Sequence, residues 1–230
     1  MGKFRLYKRY LGKGGVKFYN SYIRCINLKI GVNNYMKKII KKFVVTFCLM
    51  TIGVVTSTNV FAMTPTWPND ARFSRGVSKA YYYVDSTANA YTSRINSAVD
   101  NWVDTGYGWN PIYLAPVASN YATHIDFYRA NYNQDSVLDD WTIAYAGFWD
   151  INSNRVSQAG YEPSVNYFYT EVKMNIKFDT TTSTIIHEMG HCFGLAHSSD
   201  HYSIMYPYAD ERYVTTVQKD DHDTINYLYN

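Results

Sequence analysis

His187-Glu188-Met189-Gly190-His191-Cys192-Phe193-Gly194-Leu195-Ala196-His197 places three imidazoles and one carboxylate in a single short run, in the pattern HExxHxxGxxH. On an α-helix, positions i and i+4 lie on one face, so His187 and His191 can offer their rings to the same metal ion. A catalytic zinc takes three protein ligands and leaves a fourth position to water, so one more donor must arrive from beyond the helix. His197 is the candidate. Gly194 is the residue between them that takes positive φ without strain and lets the chain turn back. Glu188, beside the first ligand, is then placed as general base toward a water at the metal. The five fixed positions make a chance match in a chain of this length rare, on the order of one in ten thousand or less by average residue usage.

Working outward, Ser203-Ile204-Met205-Tyr206-Pro207 follows His197 and supplies a Met whose soft thioether can pack beneath a metal site. The extended zinc pattern followed by such a Met-turn resembles the metzincins. His197-Ser198, Met205-Tyr206-Pro207 and the terminal run Gln218 to Tyr229 narrow the resemblance to the matrixins, strongest from about Thr180 to the C-terminus. That resemblance implies an α+β catalytic domain: a twisted mixed sheet of about five strands with an antiparallel edge strand, and three helices. It also implies zinc-dependent peptide hydrolysis, with one catalytic Zn2+ and room for structural Ca2+. The run Thr142 to Phe148 would be the edge strand above the cleft, where an extended protein or peptide substrate adds itself through main-chain hydrogen bonds. Ala144, Tyr145 and Ala146 are then the expected substrate contacts. Pro207 and Tyr208, beyond Met205, would wall the pocket after the scissile bond. In many matrixins the edge strand gives a His to a second, structural zinc; Tyr145 stands there instead, and no such zinc is expected.

Composition needs dividing before it is used. The net charge of +3 conceals an asymmetry: residues 1–62 carry twelve of the 22 Lys and Arg and none of the 19 Asp and Glu. Met36 to Lys42 is a basic n-region, Phe43 to Val55 an apolar h-region, and Val60-Phe61-Ala62 a small-residue cleavage site, so residues 36–62 read as a secretory signal peptide. Residues 1–35 read as a leader or non-native extension upstream of the true start. Cleavage after Ala62 would release an acidic chain to the extracellular space, which removes any argument for nucleic-acid binding from the basic pI. The apolar run is too short for a stable membrane anchor. Residues 63–78 read as an N-terminal segment with the option of serving as a short propeptide, Asp70 being its candidate metal ligand, and residues 79–230 as the catalytic domain, expected to be monomeric. Cys192 is the only thiol after residue 62, and reads as a small core residue.

The remaining pattern is α+β. Ala80 to Val84 reads as a strand, followed by a helix with apolar face Tyr91, Ile95, Ala98, Val99 and Trp102. Strand-like runs lie at Ile112 to Val117, His124 to Tyr128 and Thr142 to Phe148, and Val172, Met174, Ile176 and Phe178 alternate as a half-buried strand does. A last helix is expected from about Val217 to Leu228. Asp150, Asn152 and Asn154 alternate like a calcium loop but lack its Gly and Glu, so a loop closed by its own side chains is expected. His124, His201 and His222 are not expected to bind metal. Two other functional readings stay open: a secreted binding module that keeps the fold, and a processing peptidase with one dedicated substrate.

Overall fold

A computed structural model describes residues 63–157 and 162–230; the proposed leader and signal peptide, with Cys25 and Cys48, lie outside the described residues. Five strands form one twisted sheet in the order β2-β1-β3-β5-β4: β1 Ala80–Val84, β2 Leu114–Pro116, β3 Ile125–Ala130, β4 Ala144–Trp149 and β5 Tyr169–Asn175. The first four in spatial order run parallel, and β4 pairs antiparallel with β5 in the register Ala144↔Met174 to Trp149↔Tyr169. Three α-helices complete the domain among the described residues: α1 Thr92–Val103, α2 Thr182–Cys192 and α3 Lys219–Tyr229. The fold is the α+β mixed sheet with an antiparallel edge pair that the sequence implied.

Each element has a local cause. Asp85 accepts a hydrogen bond from Thr87 N and opens a short 3-10 turn that runs into α1. Ile95, Ala98, Val99 and Trp102 of α1 are buried, following the i, i+3, i+4, i+7 spacing. Trp102 reaches α2 and donates its Nε1–H to Ile186 O at 2.9 Å. Thr181 caps α2, accepting from Thr184 N, and every residue of α2 from Thr184 to Cys192 is buried. Cys192 is a free, buried core thiol.

The sheet presents two faces. Ala146 and Phe148 of β4, Ile125 and Phe127 of β3 and Val172 and Met174 of β5 belong to the main core, while Tyr145, one residue out of phase, packs with Ala130 and Leu138 in a separate small cluster. One boundary differs from the sequence reading. β5 ends at Asn175, not Phe178, because the Asn175 amide donates to the carbonyls of Leu138, Asp139 and Thr142 while its Oδ1 accepts from Lys177 N, which turns the chain and leaves Ile176 exposed.

Residues 63–76 are woven into the domain. Trp67 N donates to Gly194 O, Ala196 N to Pro65 O and Tyr167 N to Arg72 O, and Trp67, Ala71 and Phe73 join the core. Asp70 accepts from Thr66 Oγ1 and from Tyr227 OH on α3. The expectation that Asp70 could serve as a metal ligand is therefore corrected: both carboxylate oxygens are engaged away from the histidines. No helix among the described residues is long and apolar enough to cross a membrane.

Candidate metal centre

His187 and His191 project from one face of α2, and the chain brings His197 to them by a tight helix end. Leu195 N donates to Gly190 O and Gly194 N to His191 O, with Gly194 at φ +106°, the paired bonds of a Schellman cap. A side chain at Gly194 would meet Ala71 O and Leu228, so glycine is required there for space as well as for φ.

The ring nitrogens are oriented by backbone. His187 Nδ1 donates to Ile204 O and His191 Nδ1 to Leu195 O, each at 2.8 Å, which fixes the tautomers and leaves both Nε2 atoms as lone-pair donors. One ligand atom from each of His187, His191 and His197 lies within 4.8 Å of the others. His191 Nε2 and His197 Nε2 are 3.2 Å apart. Two ligands at 2.0–2.1 Å from one tetrahedral zinc would stand about 3.3 Å apart, so the donor set and its spacing fit that ion. Burial holds the proton affinity of all three rings below the ordinary imidazole value, His191 down to about 3, and neighbouring rings add to this at His187 and His191; the rings are neutral near pH 7, the form that ligates metal.

Glu188 lies between the first two ligands and is buried. Burial pushes its carboxyl up to about 8, against the downward pull of the Arg212 guanidinium and of the Ala146 backbone N–H. The Met-turn supports the centre from below. Met205 is buried against Gly190, where an added methyl would overlap its Sδ. Asp221 on α3 ties the turn down, accepting from Ser203 Oγ at 2.8 Å, Thr64 Oγ1 at 2.6 Å, Gln218 N at 2.9 Å and Ile204 N at 3.3 Å. Because Ile204 also supplies the carbonyl that orients His187, the α3 carboxylate acts on a metal ligand through one residue.

A cavity of about 310 Å³ opens beside the triad, lined by Trp67, Ala144, Ala146, Phe148, Glu162, Glu188, His191 and His197 among others. Tyr145 borders it, but its hydroxyl donates to Asp135 on the other side of the sheet, where Lys173 binds the same carboxylate. Pro207 and Tyr208 are exposed and lie off this cavity, because the Tyr206 carbonyl is held by Arg212 and the chain turns outward there. Trp67, Glu162 and Arg212 were not singled out by sequence. Trp67 stacks on His191 at 4.9 Å and donates its indole N–H to His191 O. Glu162 is close enough to raise the proton affinity of His197. His124, His201 and His222 lie apart from the triad, bonded to Tyr81 N, to Glu211 O and to Thr105 with Asn226. Asp150 closes its own loop by accepting from Asn152 N, Asn154 N and Asn154 Nδ2.

A helix bearing two His ligands and a Glu, a third His after a glycine turn, and a buried Met beneath them define the metzincin class. Within it, the matrixin model of peptidase family M10 matches residues 77–230, and the chain belongs to the matrixins, a family of zinc-dependent metallopeptidases. No curated protein matches the chain.

Proposed function

We propose that this chain is a secreted zinc-dependent endopeptidase that hydrolyses peptide bonds in protein substrates bound as an extended strand along β4. The observation that carries the reading is the meeting of three neutral imidazoles and a buried carboxylate with the open edge of a sheet. Ile143 O accepts from Asn175 N on β5. The alternation of an antiparallel ladder then directs the main-chain groups of Tyr145 and Gly147 inward and those of Ala144 and Ala146 toward the free edge. Ala146 N–H already reaches Glu188, so a substrate paired to this edge would pass directly over the carboxylate.

Zinc held by His187, His191 and His197 would polarise the scissile carbonyl and lower the pKa of a water. The rest falls to the chain's own groups. Ala144 and Ala146 align the substrate backbone. Glu188, which the charge of a bound zinc would keep ionised, removes a proton from the attacking water, holds it at a carboxyl whose buried setting favours the protonated form, and delivers it to the departing amine. Residues 63–230 are proposed as the exported form, on the strength of the sequence pattern before Ala62 and of the way the segment after it packs. The test is casein hydrolysis with the Glu188→Gln protein alongside. Loss of at least about a thousandfold in kcat with zinc retained is expected, since the base and proton carrier are removed together; equal rates would refute the assignment.

A further inference from the structure

Beyond Met205 the chain carries one cation back into the protein. Arg212 is half-buried, and its guanidinium joins two stretches of backbone. Nε and Nη2 donate to Tyr206 O at 3.1 and 2.9 Å, and Nη1 donates to Ser183 O at 3.2 Å. Tyr206 is the first residue after Met205; Ser183 lies in the opening turn of α2, one turn before His187. The guanidinium therefore spans the gap between the start of the active-site helix and the strand of chain that leaves the Met-turn. This is the His187 end of the centre. The cavity bounded by Trp67 and Glu162 lies at the other end, against His191 and His197.

Three of the five guanidinium N–H groups are taken by these carbonyls, which leaves two. Among the described residues, the ion pairs are Arg94–Asp179, Lys173 with Asp135 and Glu171, Lys177–Asp140 and Lys219–Asp223; Arg212 belongs to none of them. Its charge reaches the centre nonetheless, lowering the proton affinity of His187, Glu188, His191 and His197. The two carboxylates that feel it, Glu188 and Asp221, have other work: Glu188 faces Ala146 N–H and the reacting water, and Asp221 holds four donors. A planar guanidinium with two N–H groups left over matches an incoming carboxylate in preference to any other side chain.

We propose that Arg212 offers its two remaining N–H groups to an acidic substrate side chain on the Met-turn side of the centre, so that the enzyme cleaves in front of Glu or Asp. The proposal rests on the peptidase reading above and names the substrate class for that site. Arg212 contacts the substrate side chain in this scheme and takes no part in the proton transfers.

The experiment uses the zinc-loaded protein, Arg212→Leu and Arg212→Glu, with three fluorogenic peptides that differ only in Glu, Leu or Lys after the scissile bond. Peptide hydroxamates carrying the same side chains give dissociation constants that need zinc and no turnover. The parent is expected to favour Glu over Leu by at least tenfold in kcat/KM and in hydroxamate Kd. Arg212→Leu should reverse that order, and Arg212→Glu should favour Lys. A simple brace for the loop would lower all substrates together and leave the Glu to Leu ratio unchanged; that result overturns the proposal, as does a parent with no preference for Glu, which requires no folded variant. A zinc-loaded parent that cleaves none of the peptides would defeat the peptidase reading, and the hydroxamate ratios would still decide the pocket.

Discussion

Removing residues 63–76 distinguishes two roles for the N-terminal segment. A detachable propeptide would leave behind a stable and more active enzyme. The packing argues for the opposite outcome. Trp67 and Phe73 are 5% and 2% exposed, and truncating a buried Trp or Phe costs about 3–5 kcal/mol each. Together they account for roughly 6–10 kcal/mol, against a total stability of about 5–15 kcal/mol for a domain. The deletion also strips Trp67 N from Gly194 O and leaves Ala196 N without Pro65 O, at both edges of the turn that delivers His197. A chain beginning at Val77 should therefore be largely unfolded, whereas one beginning at Met63 gives a cooperative urea transition by circular dichroism. Trp67→Ala in the longer chain should lose about 3–5 kcal/mol and bind zinc more weakly in a chelator competition, because the indole stacks on His191. A Val77 chain with the same urea midpoint, or with higher caseinolytic activity, would refute this reasoning.

Other predictions concern pH and backbone. Burial and the neighbouring Arg75 guanidinium push His124 down to about 4, so below pH 6.5 the unfolded chain binds a proton that the folded one refuses. Stability should fall by up to roughly 3 kcal/mol between pH 6.5 and 4 on this account, and His124→Asn should flatten that part of the urea-midpoint profile; an unchanged slope would contradict it. Asp126 has the opposite sign. Burial, with Glu171 beside it, raises its carboxyl to about 6, so its protonated form is favoured on folding, and the stabilisation present below pH 3.8 is lost as pH rises through 6. Asp126→Asn should gain at most roughly 3 kcal/mol at pH 7 and nothing at pH 3.5, checked by urea unfolding at both values. Gly194→Ala must adopt φ +106° against Ala71 O, and a loss of at least about 1–3 kcal/mol is expected, with weaker zinc retention; a neutral result in both measurements would show that the turn does not need glycine.

What was legible in the sequence was what is local. His187, Glu188 and His191 sit on one helical face because 3.6 residues make a turn, and Gly194 announced the reversal that brings His197 round. Ala144 and Ala146 could be assigned to the open edge, and period-two alternation would also have warned that Tyr145 turns its ring to the opposite face. The rest depends on contacts that leave no periodic trace. Trp67 lies in an aperiodic stretch and meets a residue 124 positions away. Arg212 is a single base in a loop, and only the two carbonyls that grip it reveal its place. The end of β5 was misread because Ile176 and Phe178 continue the apolar alternation, while the three carbonyls gathered by Asn175 stop the strand.

The knot at Asp221 also dictates an order of events. Thr64, near one end of the domain, and Asp221, near the other, are 157 positions apart in sequence yet close on the same turn. Tyr229 OH likewise reaches back to Phe193 O and accepts from Phe73 N. Contacts of such separation are the slowest to form. The carbonyl that orients His187 is thus secured only after the last helix has docked, so a nascent polypeptide carries its histidines long before the first of them is fixed in place.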